Sequence, residues 1–329
     1  MGLFVVIAAL SIMLIFFALY SYRVCFYAPR KKDAETDMES WFPKGKEYTA
    51  VRDKMIAGAH CMEDSPYEWV GIRSWDGTKL WGRYYHLTPG APLMIVFHGY
   101  RGFSSRDCAG AFVIAAKMGL NVLAIDQRSH GQSEGNVITF GIRERKDCLC
   151  WIEYAKSRFG DGLPILIYGV SMGAATVLMA SELALPENVA CIIADCPYTS
   201  PSDIIRKVAA EMGFPDALAY PILRLGARLF GHFSLTESSA LEAVKLANVP
   251  ILLIHGEDDH LVPCRMSRMI YDNCKDIAQL HTFPEAGHGL SYPVDPRHYE
   301  KICVDFLWQI DALHPFLDHS EFAKKLHSA

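Results

Sequence analysis

The spacing of apolar and polar positions changes character three times along this chain. From Met1 to Tyr22 no charged side chain occurs. About 22 helical residues rising ~1.5 Å each cover roughly 30 Å, the thickness of a bilayer's hydrocarbon core. Residues 33–66 are charged and partly helical in pattern, and read as a connecting arm. At Tyr67 the period shortens. Tyr67–Ser74 and Lys79–Leu87 are rich in aromatic and β-branched residues on either side of Asp76-Gly77, which predicts an antiparallel hairpin. From Leu93 onward short apolar runs alternate with helical patterns. Strands are predicted at Leu93–Phe97, Asn121–Ile125, Pro164–Gly169, Val189–Asp195, Pro250–His255 and Ala278–Phe283. Several are continuous apolar runs, as expected when helices cover both faces of a sheet. The prediction is an α/β fold with a mostly parallel sheet.

One interval breaks the alternation. Between Pro197 and Val249 helical patterns follow one another, including Pro201–Met212 and Asp216–Phe230, with no predicted strand until Pro250. A bare connection of that length is unusual in a compact domain, so an inserted helical cap is expected. The organisation is therefore a membrane anchor over 1–22, a basic flank and arm over 23–66, and an α/β domain over 67–329 with its cap at about 198–248.

Composition and charge sharpen this division. Apolar residues make up 51% and charged residues 21% of the 329, too many of the former for a disordered chain. Arg23, Arg30, Lys31 and Lys32 give residues 1–32 a charge of +4 with no acid; removing that from the net −5 leaves −9 over residues 33–329. An acidic body is a poor partner for nucleic acid. The basic residues follow the apolar stretch, and its flank lacks a small-residue cleavage pattern, so an uncleaved anchor is favoured over a signal peptide. Retention of Lys and Arg on the inner side predicts a cytoplasmic catalytic domain. The ten cysteines are scattered in a chain too large to need disulfide staples, and Cys148-Leu-Cys150 lacks the spacing of a zinc site. They read as reduced packing residues.

In an open α/β sheet ligands collect at the carboxyl ends of the strands. The strand at 164–169 runs into Gly169-Val-Ser171-Met-Gly173 and then a helix, the pattern of a nucleophile elbow. Such a turn lifts the serine hydroxyl clear of the sheet, and the amide of Met172 points where an oxyanion forms. Gly131-Gln-Ser133-Glu-Gly135 matches the same five-residue pattern, but no helix starts directly after it. Strand and helix context selects Ser171.

A serine hydroxyl needs a base to take its proton and an acid to hold that base. After strand 250–255 come Glu257, Asp258 and Asp259; after strand 278–283 comes Gly287-His288-Gly289. Asp259 stands 88 residues beyond Ser171, and His288 29 beyond Asp259. Asp259 is the favoured acid, with Asp258, Glu257 and the strand-ending Asp195 as rivals. His288 is the favoured base; His98 and His255 end strands and suit structural hydrogen bonding. The loop His98-Gly99-Tyr100 offers the amide of Tyr100 as a second oxyanion donor, or else a simple glycine turn.

The set His98-Gly99-Tyr100, Asp126-Gln-Arg-Ser-His-Gly131-Gln-Ser133, Gly169-Val-Ser-Met-Gly173, His255-Gly-Glu-Asp-Asp259 and Gly287-His288-Gly289 resembles the α/β-hydrolase superfamily. Within it the chain looks like the bacterial branch related to serine aminopeptidases and monoacylglycerol lipases. The resemblance covers roughly residues 67–310. It implies an eight-stranded sheet, a triad of Ser171, Asp259 and His288, and a cap after the sixth strand. One departure is Ser129, where the motif usually has glycine.

The expected activity is hydrolysis of a carboxylic ester, of a lipophilic or acyl-chain kind, through an acyl-enzyme and with no metal or organic cofactor. Two alternatives stand beside it. An aminopeptidase or amidase would need acids to hold a substrate ammonium, for which Glu211, Asp216, Glu237 and Glu242 are available in the cap. A non-catalytic binding protein would typically have lost the nucleophile or the histidine.

Overall fold

In a computed structural model of the protein the described residues are 2–29, 38–43 and 45–328. Arg30, Lys31 and Lys32 of the basic flank lie outside them. Eight strands form one sheet: β1 (Glu68–Arg73), β2 (Lys79–Tyr85), β3 (Leu93–Phe97), β4 (Asn121–Asp126), β5 (Ile165–Val170), β6 (Val189–Asp195), β7 (Ile251–Gly256) and β8 (Ala278–Phe283). Their order is β1-β2-β4-β3-β5-β6-β7-β8. β1 and β2 are the predicted hairpin, antiparallel to each other, and β2 lies antiparallel on β4; the pairings from β4 to β8 are parallel. Each strand falls within a residue or two of its predicted bounds. β5 extends to Val170 because that residue still pairs with Asp195.

The principal helices are α1 (Gly2–Cys25), α2 (Arg52–Glu63), α3 (Ala109–Met118), α4 (Glu144–Phe159), α5 (Met172–Ala180), α6 (Pro201–Glu211), α7 (Asp216–Leu229), α8 (Arg265–Asp272) and α9 (Pro296–Trp308). The strand period of two splits the core into two layers. Leu93, Ile95, Leu123 and Ile125 point with Trp151 of α4 and Leu178 of α5, while Met94, Val96, Val122 and Ala124 point with Phe112 of α3 and Phe306 of α9. Both faces are dry, which is why the central strands read as unbroken apolar runs.

The interval between β6 and β7 holds α6 and α7, the expected cap. α7 has one apolar stripe: Leu223, Gly226 and Ala227 are buried, while Leu218 and Leu229 are exposed. α1 lies along this helix and buries Ala18 and Tyr22. Most of its other apolar side chains face outward, and its length and composition suffice to cross a membrane. α2 packs beside α3, burying Ala59 and Met62, and its Glu63 receives a 2.7 Å hydrogen bond from Arg83 of β2.

Candidate active site

At the end of β5 the chain turns through Ser171, whose φ of 55° and ψ of −115° hold it outside the regions L-residues prefer. The two flanking glycines make that turn possible. A Cβ on Gly169 would stand 2.3 Å from the carbonyl carbon of Gly173, and one on Gly173 would stand 2.1 Å from the carbonyl oxygen of Phe97 in β3. No side chain fits at either position. The Ser171 amide donates to the Asp195 carbonyl at 2.8 Å, which fixes the elbow to β6.

The loops after β7 and β8 bring two further groups to this serine. His288 Nε2 lies 2.8 Å from Ser171 Oγ, and Nδ1 lies 2.7 Å from Asp259 Oδ2. Asp259 is buried, and its Oδ1 accepts the amides of Leu261 at 2.9 Å and Val262 at 2.7 Å. Burial alone would raise this carboxyl's pKa. Hydrogen bonds from His255 and His288 and the Val262 amide outweigh it and hold the group well below the usual carboxylate range. The row can therefore present an ionised acid, a ring nitrogen and a hydroxyl in line, the arrangement that transfers a serine proton to histidine.

The rival residues stand elsewhere. Ser133 is buried in its own loop, donating to the Asp126 carbonyl at 2.6 Å and accepting the Trp81 amide at 2.8 Å. Glu257 and Asp258 are exposed. The Asp195 carboxyl accepts a hydrogen bond from the Tyr299 hydroxyl at 2.9 Å. His98 is fully buried, with Nε2 accepting the Gln127 amide at 3.1 Å; burial first, and His130 beside it second, push its pKa down to about 3. His255 also hydrogen-bonds structurally, to Ser267 and the Val262 carbonyl, but its Nε2 lies 3.3 Å from Asp259 Oδ2. That contact makes it a neighbour of the row.

The loop after β3 closes over the elbow. A Cβ on Gly99 would be 3.5 Å from that of Ser171. The Gly99 amide is held by Asp107 Oδ2 at 2.9 Å, and Asp107 is paired with Arg106 at 2.6 Å. No local pattern marks Asp107 as a loop holder. Cys196, one of the scattered cysteines, sits fully buried beside the site. Its sulfur lies within 4.8 Å of donor atoms of Asp259 and His288, and among the described residues these three form a group whose spacing could suit a metal ion. The four cap acids are already paired: Glu211 with Lys207, Asp216 with Arg206, Glu237 with Arg145 and Glu242 with Lys245.

The sheet order, the elbow after β5 and the cap after β6 are those of the α/β-hydrolase fold. The sequence profile of the prolyl oligopeptidase family matches residues 111–311, more than half of the chain, which belongs to that family. YqkD of Bacillus subtilis, an uncharacterised protein, is 29% identical over 58% of this chain and 63% of its own length. The lysophosphatidylserine lipase ABHD12 of Xenopus tropicalis is 25% identical over 67% of this chain and 58% of its own. The chain thus spans less than two thirds of either relative. Among solved structures, the Pyrococcus furiosus esterase Pf2001 superposes with a TM-score of 0.64 over 87% of this chain and 97% of its own, at 21% identity.

Proposed function

We propose that the protein is a serine hydrolase of carboxylic esters, with Ser171 as nucleophile, His288 as base and Asp259 as the acid that orients it. The observation that carries this reading is the unbroken row Ser171 Oγ, His288 Nε2, His288 Nδ1, Asp259 Oδ2 with spacings of 2.8 and 2.7 Å. His288 takes the serine proton as Oγ bonds to the ester carbonyl carbon, and the carbonyl electron pair moves onto oxygen. Collapse expels the alcohol, which receives that proton, and leaves acyl-Ser171. A water deprotonated by His288 then attacks the acyl carbon; Ser171 leaves as the hydroxyl and the carboxylic acid departs. The amides of Met172, at the start of α5, and Tyr100 receive the oxyanion. Two such donors lower the barrier by roughly 3–6 kcal/mol.

Acyl-chain esters are the favoured substrates. α7 exposes Leu218 and Leu229 and packs along α1, a helix able to anchor the enzyme to a membrane, and one relative is a lysophosphatidylserine lipase. The basic flank after α1 supports a cytoplasmic position for the catalytic domain. Amide hydrolysis is the second reading, favoured by the family's name, but the four cap acids that would hold a substrate ammonium are each neutralised by a cation. Labelling with a fluorophosphonate probe, and p-nitrophenyl acyl esters set against aminoacyl anilides, test both. Ser171→Ala is expected to abolish labelling and hydrolysis; labelling that persists, or faster anilide cleavage, overturns the ester reading.

A further inference from the structure

We infer that α1 is a positioning element of the active site: the carbonyls at its C-terminal end hold Tyr100 and Arg101, and thereby set the Tyr100 amide where the oxyanion forms. This rests on the ester-hydrolase reading above.

The last carbonyls of a helix have no partner within it, and a cation or hydroxyl donor placed there is favoured. At the end of α1 those donors come from the loop after β3. The Tyr100 hydroxyl donates to the Cys25 carbonyl at 2.8 Å, and the Arg101 guanidinium to the carbonyls of Val24 at 2.8 Å and Tyr27 at 3.1 Å. Arg101 has a φ of 51°, a left-handed conformation that a non-glycine residue keeps only when its surroundings impose it. The two carbonyls impose it from one side, and His130 Nε2, accepting the Arg101 amide at 3.1 Å, from the other. The Tyr100 ring stacks on Phe140 at 4.9 Å, and Phe140 meets Phe26 edge-on at 5.9 Å. Tyr100 is thus held at its hydroxyl by the end of α1 and at its ring by Phe140, on which Phe26 of the chain leaving α1 packs.

α1 is itself held against the cap. At Gly226 of α7 an added Cβ would lie 2.4 Å from the Ala18 carbonyl oxygen, so the two helices touch backbone to backbone there. Tyr22 packs on Phe230 with ring centroids 5.9 Å apart. Beyond α1 the chain is stitched to the loop before α4: Tyr27 bridges Val137, Ala28 donates to the Asn136 carbonyl at 2.9 Å, and Ile138 donates to the Phe26 carbonyl at 2.8 Å. The helix that can span a membrane is in this way continuous with the oxyanion loop, and its seating decides where the Tyr100 amide stands. Oxyanion donors act only at hydrogen-bond distance from the developing charge, and complete loss of one costs about 10²–10³ in kcat.

The test uses the full chain in detergent micelles, with p-nitrophenyl butyrate as substrate and an alkyl trifluoromethyl ketone as the probe of tetrahedral geometry. Tyr100→Phe removes one hydroxyl and Arg101→Gln removes the cationic fork; Gly226→Ala pushes α1 off α7, far from the chemistry. Each is expected to lower kcat about tenfold with KM changed less than twofold, and to weaken the ketone by the same factor. Arg101→Lys, which keeps the charge, should recover part of the Arg101→Gln loss. Because Tyr100→Phe and Gly226→Ala act through one seating, the double variant should fall little further than the worse single. The inference is overturned if Tyr100→Phe and Gly226→Ala keep wild-type kcat and ketone affinity while Ser171→Ala is inactive, or if KM alone moves. Hydrolysis surviving Ser171→Ala would instead remove the reading of the site on which the inference rests.

Discussion

Asp259 meets His288 through one carboxylate oxygen and gives the other to two backbone amides, so the acid is fixed in orientation independently of the histidine it serves. An acid held this way sets which ring nitrogen of His288 carries the proton. Asp259→Asn keeps the shape but offers an amide in place of the acceptor. A fall in kcat of about 10³–10⁴ is expected, by analogy with the cost of the wrong histidine tautomer in serine proteases. Asp258→Asn, on the exposed neighbour, should stay within twofold of wild type. Steady-state ester kinetics on the pair decide it, and equal losses would remove Asp259 from the row.

Asp195 supplies a pH dependence of stability rather than of catalysis. Its carboxyl is buried, and that burial raises its pKa to about 6 despite the Tyr299 hydroxyl, His255 and His288, with Asp259 pushing the same way as burial; Tyr168 stands behind Tyr299. Because the folded pKa exceeds the unfolded one, the folded state binds more protons between about pH 4 and 6, and stability falls as pH rises through that window. About two units correspond to about 3 kcal/mol. Asp195→Asn, isosteric and uncharged, should match wild type near pH 4 and exceed it above pH 6. Melting curves of the two proteins across pH 4–8 that stay parallel would exclude this origin.

A buried ion pair holds the loop after β4. Arg128 grips Asp147 with Nε and a terminal nitrogen at 2.6 Å each and reaches Asp76 at 2.9 Å, while Ser74 also donates to Asp147. Breaking one member of such a pair strands a buried charge, whereas replacing both with apolar groups is often neutral. Arg128→Met is expected to cost about 3–5 kcal/mol of stability, and Arg128→Met with Asp147→Leu to recover most of it. Denaturant midpoints in micelles measure both; equal losses in single and double variants would mean that the loop, not the charge, had failed.

Much of this molecule could be read along the chain because it is written locally. A parallel strand buried on both faces must be apolar throughout, so β3 to β7 announce themselves. Ser171 stands out from Ser133 because a strand precedes it and a helix follows. The contacts between distant segments leave no such trace. A backbone carbonyl has no residue identity, so nothing at Cys25 indicates that it accepts a hydrogen bond from Tyr100. Asp107 reads as an ordinary polar residue after a glycine turn until the fold sets it under Gly99, and His255 reads as a strand terminus until Asp259 curls back onto it.

Ser129 joins the two kinds of reading, since the motif it departs from marks the position and only the backbone explains it. Its φ is 67°, the left-handed region where glycine is at ease and an L side chain costs roughly 1–2 kcal/mol. Here the serine recovers part of that cost, because its Oγ donates to the Val137 carbonyl at 2.9 Å and its amide donates to the Glu134 carbonyl at 2.9 Å. Ser129→Gly therefore loses one hydrogen bond of about 1 kcal/mol and sheds a strain of similar size, for a net change near zero. Ser129→Ala loses the bond and keeps the strain. The glycine variant should then be the more stable of the two by about 1–2 kcal/mol, the reverse of the ordinary preference for alanine over glycine. Paired unfolding measurements check the order, and an alanine variant at least as stable as the glycine one would show that the left-handed turn is not what the position demands.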